Sequence, residues 1–107
     1  MVYKIVLTST DNKCVAESIA RTILADKLSP CIQILPSVES TYIWKKNIEV
    51  SNEYLIHIKT IESNIESIKK TIENIHNYDV PEIISVDFSI LNSKYINWFN
   101  NNIKEGE

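Results

Sequence analysis

Two runs of alternating apolar and polar residues, Cys31 to Trp44 and Ile48 to Lys59, are separated only by Lys45-Lys46-Asn47, and no other feature restricts the fold as strongly. Alternation over that length is a strand signal, and a short polar interruption between two such runs marks a hairpin turn. The spacing predicts one long hairpin whose return strand puts Tyr54, Ile56 and Ile58 on one face and Leu55, His57 and Lys59 on the other. Pro36 has no N–H to give to a ladder, so it must sit on an edge strand or at a bulge. Asn47 is the turn residue expected to take a positive φ. As strand, Cys31 to Trp44 would span roughly 46 Å at about 3.3 Å per residue. The helix expected from Asn12 to Asp26 covers only about 22 Å at about 1.5 Å per residue. The distal half of the hairpin, with Tyr42, Ile43, Trp44, Ile48 and Val50, therefore projects past anything this chain can pack on it. Such a ribbon is an aggregation hazard unless another subunit covers it, so an obligate homo-oligomer is expected.

Around the hairpin the periods are equally clear. Tyr3, Ile5 and Leu7 alternate with Lys4, Val6 and Thr8 in a first strand, giving one apolar and one mixed face. Thr10, Asp11 and Asn12 supply capping chemistry for a helix whose stripe is Val15, Ala16, Ile19, Ala20, Ile23 and Leu24, and which ends before Ser29-Pro30. A second helix carries Ile61, Ile65, Ile68, Ile72 and Ile75 at spacings of three and four. Ile84, Val86, Phe88 and Ile90 then alternate in a last strand, and a short helix from Ser93 packs through Tyr95, Ile96, Trp98 and Phe99. The order is an α+β, ferredoxin-like βαββαβ antiparallel sheet with a C-terminal helix, in a single domain over 1–107.

Composition removes several function classes. A net charge of -3 with scattered acidic residues leaves no basic footprint for nucleic acid. No apolar run approaches the length of a membrane span, and Met1 to Thr10 is too short and too interrupted by Lys4 for a signal peptide, so a cytoplasmic protein is expected. Cys14 and Cys31 are too few for a closed thiolate metal site and are expected as free thiols. Cys14, early in the first helix, reads as a partly buried small residue and Cys31 as core. The lone glycine, Gly106, lies in the tail, so asparagine is expected to take over glycine's turn work. Familiar activities of this fold are also missing: no Cys-x-x-Cys follows the first strand, no basic-aromatic pattern marks an RNA-binding face, and the single Arg21 lies inside a helix rather than in an anion cradle. His57 and His76 are the only imidazoles, and neither is tied to a serine or cysteine by a nucleophile motif, so an enzyme is not expected.

The chemistry that remains gathers at His76-Asn77-Tyr78-Asp79-Val80-Pro81-Glu82-Ile83, in the link between the second helix and the last strand. Asn77 suits a left-handed cap, and a protonated His76 would face the negative end of the helix dipole. Pro81 biases Val80 toward extended backbone, so the chain is expected to leave the helix and run straight into a strand.

That stretch, together with Leu28-Ser29-Pro30-Cys31-Ile32-Gln33-Ile34-Leu35-Pro36, Ser40-Thr41-Tyr42-Ile43-Trp44, Glu53 with Ile58-Lys59-Thr60, and Tyr95-x-x-Trp98, resembles the CutA family of divalent-cation tolerance proteins over nearly the whole chain. The resemblance implies a PII-like homotrimer in which the long hairpins wrap neighbouring subunits. It also implies weak or transient binding of divalent metal, copper foremost, by His76 and a carboxylate such as Glu82 or Asp79. Tyr42, Trp44, Glu53, Lys59 and Tyr78 are the residues implied for an inter-subunit cleft. A regulatory or scaffolding trimer that takes a small anionic ligand beside Lys59, or a protein partner, is the alternative. Where the family has glycine at the hairpin tip and before the final helix, this chain has Lys46-Asn47 and Leu91-Asn92, and asparagine is expected to carry the positive φ at both.

Overall fold

A computed structural model describes residues 1–106. Its elements are β1 (Tyr3–Thr10), α1 (Lys13–Ala25), β2 (Cys31–Trp44), β3 (Asn47–Ile61), a 3-10 turn (Glu62–Asn64), α2 (Ile65–Ile75), β4 (Ile84–Asp87) and α3 (Ser93–Asn101). The strands form one sheet in the order β2-β3-β1-β4, with every neighbouring pair antiparallel. This is the ferredoxin-like arrangement the periodicities predict.

Each element has a local cause. Asn12 caps α1 by accepting the Val15 N–H at 3.1 Å. The helix ends in a Schellman motif, with Lys27 N–H donating to Leu24 O at 3.0 Å and Leu28 N–H to Ile23 O at 3.1 Å. Lys27 takes the left-handed φ of 58° that such an ending requires. Pro36 lies on β2, an edge strand, and at a bulge: Leu35 pairs with Leu55 and Val38 with Glu53, so Pro36 and Ser37 together face Tyr54. Ser37 absorbs the bulge with a φ of 59°.

α1 and α2 cover one face of the sheet. Ala16, Ile19, Ile23, Ile68 and Ile72 meet Val6, Ile56 and Ile58 there, all essentially excluded from solvent. The face of β1 that reads as apolar is the opposite one: the mixed face, with Val6 and Thr8, lies under the helices, while Tyr3, Ile5 and Leu7 are half-buried on the open side. Leu24, at the edge of the α1 stripe, is exposed. The amphipathic pattern locates two faces but does not say which one the chain's own helices will choose.

On the open side α3 covers only the end near Tyr3. The buried Phe99 ring packs edge-on to Tyr3 at 5.4 Å and against Phe88 at 6.3 Å. Cys31 is half-buried at this end rather than in the core, and Cys14, expected as partly buried, is exposed on α1. Leu7, Leu35, Leu55, Ile84 and Val86 share the rest of that face through the pairings Leu7–Ile84 and Leu35–Leu55, and no helix of the described residues covers them.

Several turns are solved differently from the sequence expectation. At the hairpin tip Trp44 pairs with Asn47, and Lys45 and Lys46 form the two-residue turn with φ of 49° and 68°. Two positive φ values are the type I′ geometry that matches the twist of the flanking strands, so the lysines, not Asn47, take the left-handed conformation. None of the four positive-φ residues among those described, Lys27, Ser37, Lys45 and Lys46, is an asparagine. The last strand stops at Asp87, after which a single hydrogen bond from Phe88 N–H to Tyr3 O, 3.3 Å, carries the chain toward α3. Asn92, before that helix, has an ordinary extended φ of -119°.

Candidate functional site

The α2 stripe ends at Ile75, and His76 leaves the helix at once, with φ -59° and ψ 143°. Asn77 is therefore not a left-handed cap. Its side chain accepts from Thr10 Oγ1 at 2.6 Å and donates to Asp11 Oδ1 at 2.9 Å, tying the end of α2 to the turn between β1 and α1.

His76 makes the same connection through its ring. Nδ1 lies 3.0 Å from the Tyr78 N–H and Nε2 lies 2.8 Å from the Ser9 carbonyl oxygen. A backbone N–H can only donate and a carbonyl can only accept, so the arrangement selects the neutral tautomer that carries its proton on Nε2. Both nitrogens are thereby used within the chain. The imidazole acts as a strut for the segment 76–82, and a metal ion taken by His76 would have to displace one of these bonds.

Anchored in this way, the segment brings Tyr78 across the open end of β1. Its ring packs on His76 with centroids 4.8 Å apart, and its hydroxyl donates to Glu53 Oε2 at 2.7 Å. Burial, and then the Glu53 carboxylate, push the Tyr78 phenol well above its ordinary value. Glu53 sits where β3 runs on past the end of β1, since Thr10 pairs with Tyr54 and Glu53 has no β1 partner. It is only 6% exposed, yet no basic group lies within salt-bridge distance of it among the described residues.

Between this segment and the hairpin lies a cleft of about 730 Å³. Ser40, Tyr42, Trp44 and Glu53 line one wall, Tyr78, Asp79, Val80, Pro81 and Glu82 the other, and Ser9 lies at the end of β1 between them. Tyr42 and Trp44 are two residues apart and face the cleft from one side of the ribbon. Tyr42, Trp44, Glu53, Tyr78, Asp79 and Glu82 thus line one cleft.

Lys59 does not. It lies six residues along β3 from Glu53, roughly 20 Å at about 3.3 Å per residue, and pairs with Cys31 and Ile5. Its ammonium donates to Gln33 Oε1 at 3.1 Å. The lining holds three carboxylates and no basic side chain, so an anionic ligand held by Lys59 does not fit this cleft. Among the described residues no three His, Cys, Asp or Glu side chains are grouped to hold a metal ion. Ser9 was not a sequence candidate. Only the register, which ends β1 beside Glu53, reveals it.

Comparison with known proteins agrees with this architecture. The family model described as CutA1 divalent ion tolerance protein matches residues 4–102. The chain is 34% identical over 101 residues to the rice protein "Protein CutA 1, chloroplastic", a match covering 94% of this chain and 57% of that protein. It is 28% identical to the "Divalent-cation tolerance protein CutA" of Thermus thermophilus, covering 92% of this chain and 96% of that one. The crystal structure of rice CutA1 superposes with a TM-score of 0.93 at 32% identity, covering 99% of this chain and 97% of that chain. That of the Thermus protein gives 0.89 at 27%, covering 95% and 99%. The chain spans little more than half the length of the rice and Arabidopsis relatives. No helix among the described residues is long and apolar enough to cross a membrane.

Proposed function

Because the chain belongs to the CutA1 divalent ion tolerance family, we propose that it is a non-enzymatic divalent-cation tolerance protein that works as a homotrimer and binds divalent metal, copper foremost, weakly at subunit boundaries. The observation that carries the assembly is the uncovered apolar surface. Ile43 is 68% exposed and Ile48 73% at the hairpin tip, and Leu35, Ile84 and Val86 stand open on the sheet. Surface of this kind is characteristic of an interface.

The metal reading draws on the relatives' role and on the cleft rim. The carboxylates of Asp79 and Glu82 border the cleft, and neither makes a side-chain hydrogen bond or salt bridge with another described residue. Oxygen donors suit divalent ions, and Cu(II) is bound most tightly in its series. Two carboxylates leave most of a coordination shell open, so the remaining donors come from water or a neighbouring subunit. His76 contributes by holding the segment in place.

Light scattering at micromolar concentration tests the assembly, with three times the chain mass expected; a monomer would end the reading. Calorimetric titration with Cu²⁺ tests the site: Asp79→Asn with Glu82→Gln should lose most of the affinity, and equal binding in wild type and double variant would remove these residues from it.

The alternative, a regulatory or scaffolding trimer with a small ligand in the cleft, is favoured by one observation. At about 730 Å³ the cavity is in the size range of small-molecule sites and far larger than an ion.

A further inference from the structure

From the end of the open sheet face that α3 covers, we infer that Cys31 is a peroxide-reactive thiol, oxidised to a sulfenic acid whose oxygen is held by the Lys59 ammonium and the Tyr95 hydroxyl. The inference is independent of the cleft and of the metal reading.

Cys31 opens β2 directly after Pro30, at the root of the hairpin rather than on its projecting half. It pairs with Lys59 across the ladder, and the Lys59 ammonium donates to its sulfur at 3.9 Å. Ser29, 1% exposed, ties the two backbones together: its hydroxyl accepts from the Cys31 N–H at 3.2 Å and donates to the Lys59 carbonyl. α3 brings Tyr95 to the same place, and the hydroxyl oxygen of Tyr95 is buried with no hydrogen-bond partner among the described residues. Burial, and then the Cys31 thiol beside it, hold that phenol above its ordinary value. β2, β3 and α3 of one chain thus build the surroundings of this sulfur.

Two donors stand beside an atom that accepts poorly. Sulfur is a weak acceptor, and a buried hydroxyl left unpaired is costly. An oxygen placed on the sulfur would accept from both the ammonium and the phenol. The step that puts it there balances with hydrogen peroxide as the co-reactant. The sulfur attacks one peroxide oxygen, the S–O bond forms as the O–O bond breaks, and the departing hydroxide takes the thiol proton and leaves as water. The sulfur gives up two electrons and the peroxide accepts them. The Lys59 ammonium also stands where it stabilises the hydroxide as it departs. Cys14 has none of this: it is exposed on α1, and no described side chain is hydrogen-bonded to its sulfur.

The two cysteines make the test internal to the chain. Exposure alone predicts that Cys14 reacts first, whereas the inference predicts Cys31. The full chain as assembled in solution is treated with hydrogen peroxide in the presence of a metal chelator. Remaining thiol at each cysteine is read by alkylation and peptide mass spectrometry, and the sulfenic acid is trapped with dimedone. Cys31 should lose its thiol faster than Cys14 and carry the dimedone adduct. Lys59→Met should slow Cys31 by about tenfold or more, the worth of a charge-assisted hydrogen bond, and Lys59→Arg should keep most of the rate. Tyr95→Phe, which keeps the ring in place, should slow it by roughly fivefold. Cys14 should be unchanged in all three variants. Cys31 reacting no faster than Cys14, or at the wild-type rate in both Lys59→Met and Tyr95→Phe, overturns the inference. A Cys31 that neighbouring subunits shield from peroxide would give no product and counts against it equally.

Discussion

The two faces of the sheet are made by the same four strands and do different work. Under α1 and α2, Ile19, Ile23, Ile56, Ile58, Ile68 and Ile72 are fully buried. On the other side α3 seals only the end around Tyr3 and Phe99, and Val86 is 44% exposed on a strand whose four residues are all exposed. Both faces are apolar, so hydrophobicity alone does not distinguish them. What differs is what the chain can reach: two helices of 13 and 11 residues cover one face, and one helix of 9 residues covers part of the other. The closed face holds the subunit together, and the open face with its projecting hairpin is left for something outside it.

The largest effect should come from the closed face. Ile58→Ala should lower unfolding stability by about 2–5 kcal/mol in chemical denaturation, independently of protein concentration. Val86→Ala should act differently, its cost growing with protein concentration because it is felt only in the assembled state. If both substitutions shift the midpoint equally at every concentration, the distinction between the faces fails.

A smaller effect is expected where the closed face ends and the cleft begins. Tyr78→Phe takes from a buried carboxylate its only side-chain hydrogen bond among the described residues, which should cost about 1–3 kcal/mol. The same pair predicts a pH dependence. A phenol whose folded value is raised above the unfolded value of about 10 holds its proton longer when folded. The stability it contributes is therefore fully present below about pH 10 and is lost as the pH rises toward the folded value. Tyrosinate absorbance should show a late-titrating phenol in the wild type that Tyr78→Phe removes and Glu53→Gln moves earlier; a titration unchanged in both variants would break the assignment.

The smallest change is at the hairpin tip and goes the other way. Lys45→Asn with Lys46→Gly gives the I′ turn residues that tolerate positive φ and should raise stability by about 1 kcal/mol. A loss of stability would mean that the lysines make contacts in the assembly that outweigh their backbone strain.

Much of this was legible in the alternation of residues. The long hairpin, an edge position or bulge at Pro36 and both isoleucine-striped helices follow from period and turn chemistry. His76 was read both as part of a helix stop and as a metal donor, and the sequence could not weigh the two, because an imidazole's role depends on what stands opposite its two nitrogens. Here those partners are the Ser9 carbonyl, 67 positions away, and the Tyr78 N–H. Lys59, six residues along β3 from Glu53, lies outside the cleft of its own chain. Glycine's substitutes were misjudged as asparagines because local preference is weak: the Lys27 Schellman ending and the Lys45-Lys46 turn are imposed by the packing of the elements they join.

The sequence by itself determined the order of elements, their amphipathic faces and an apolar ribbon too long for its own subunit, since those depend on periodicities of two and 3.6 along the chain. Only the tertiary structure decided which face of β1 is covered, which way His76 and Glu53 point, and that a buried carboxylate stands in a cleft without a counter-charge. Those outcomes depend on register and on contacts between residues far apart in the chain, where β1 running one residue longer would pair Glu53 with a neighbouring strand instead of leaving it at the end of the ladder.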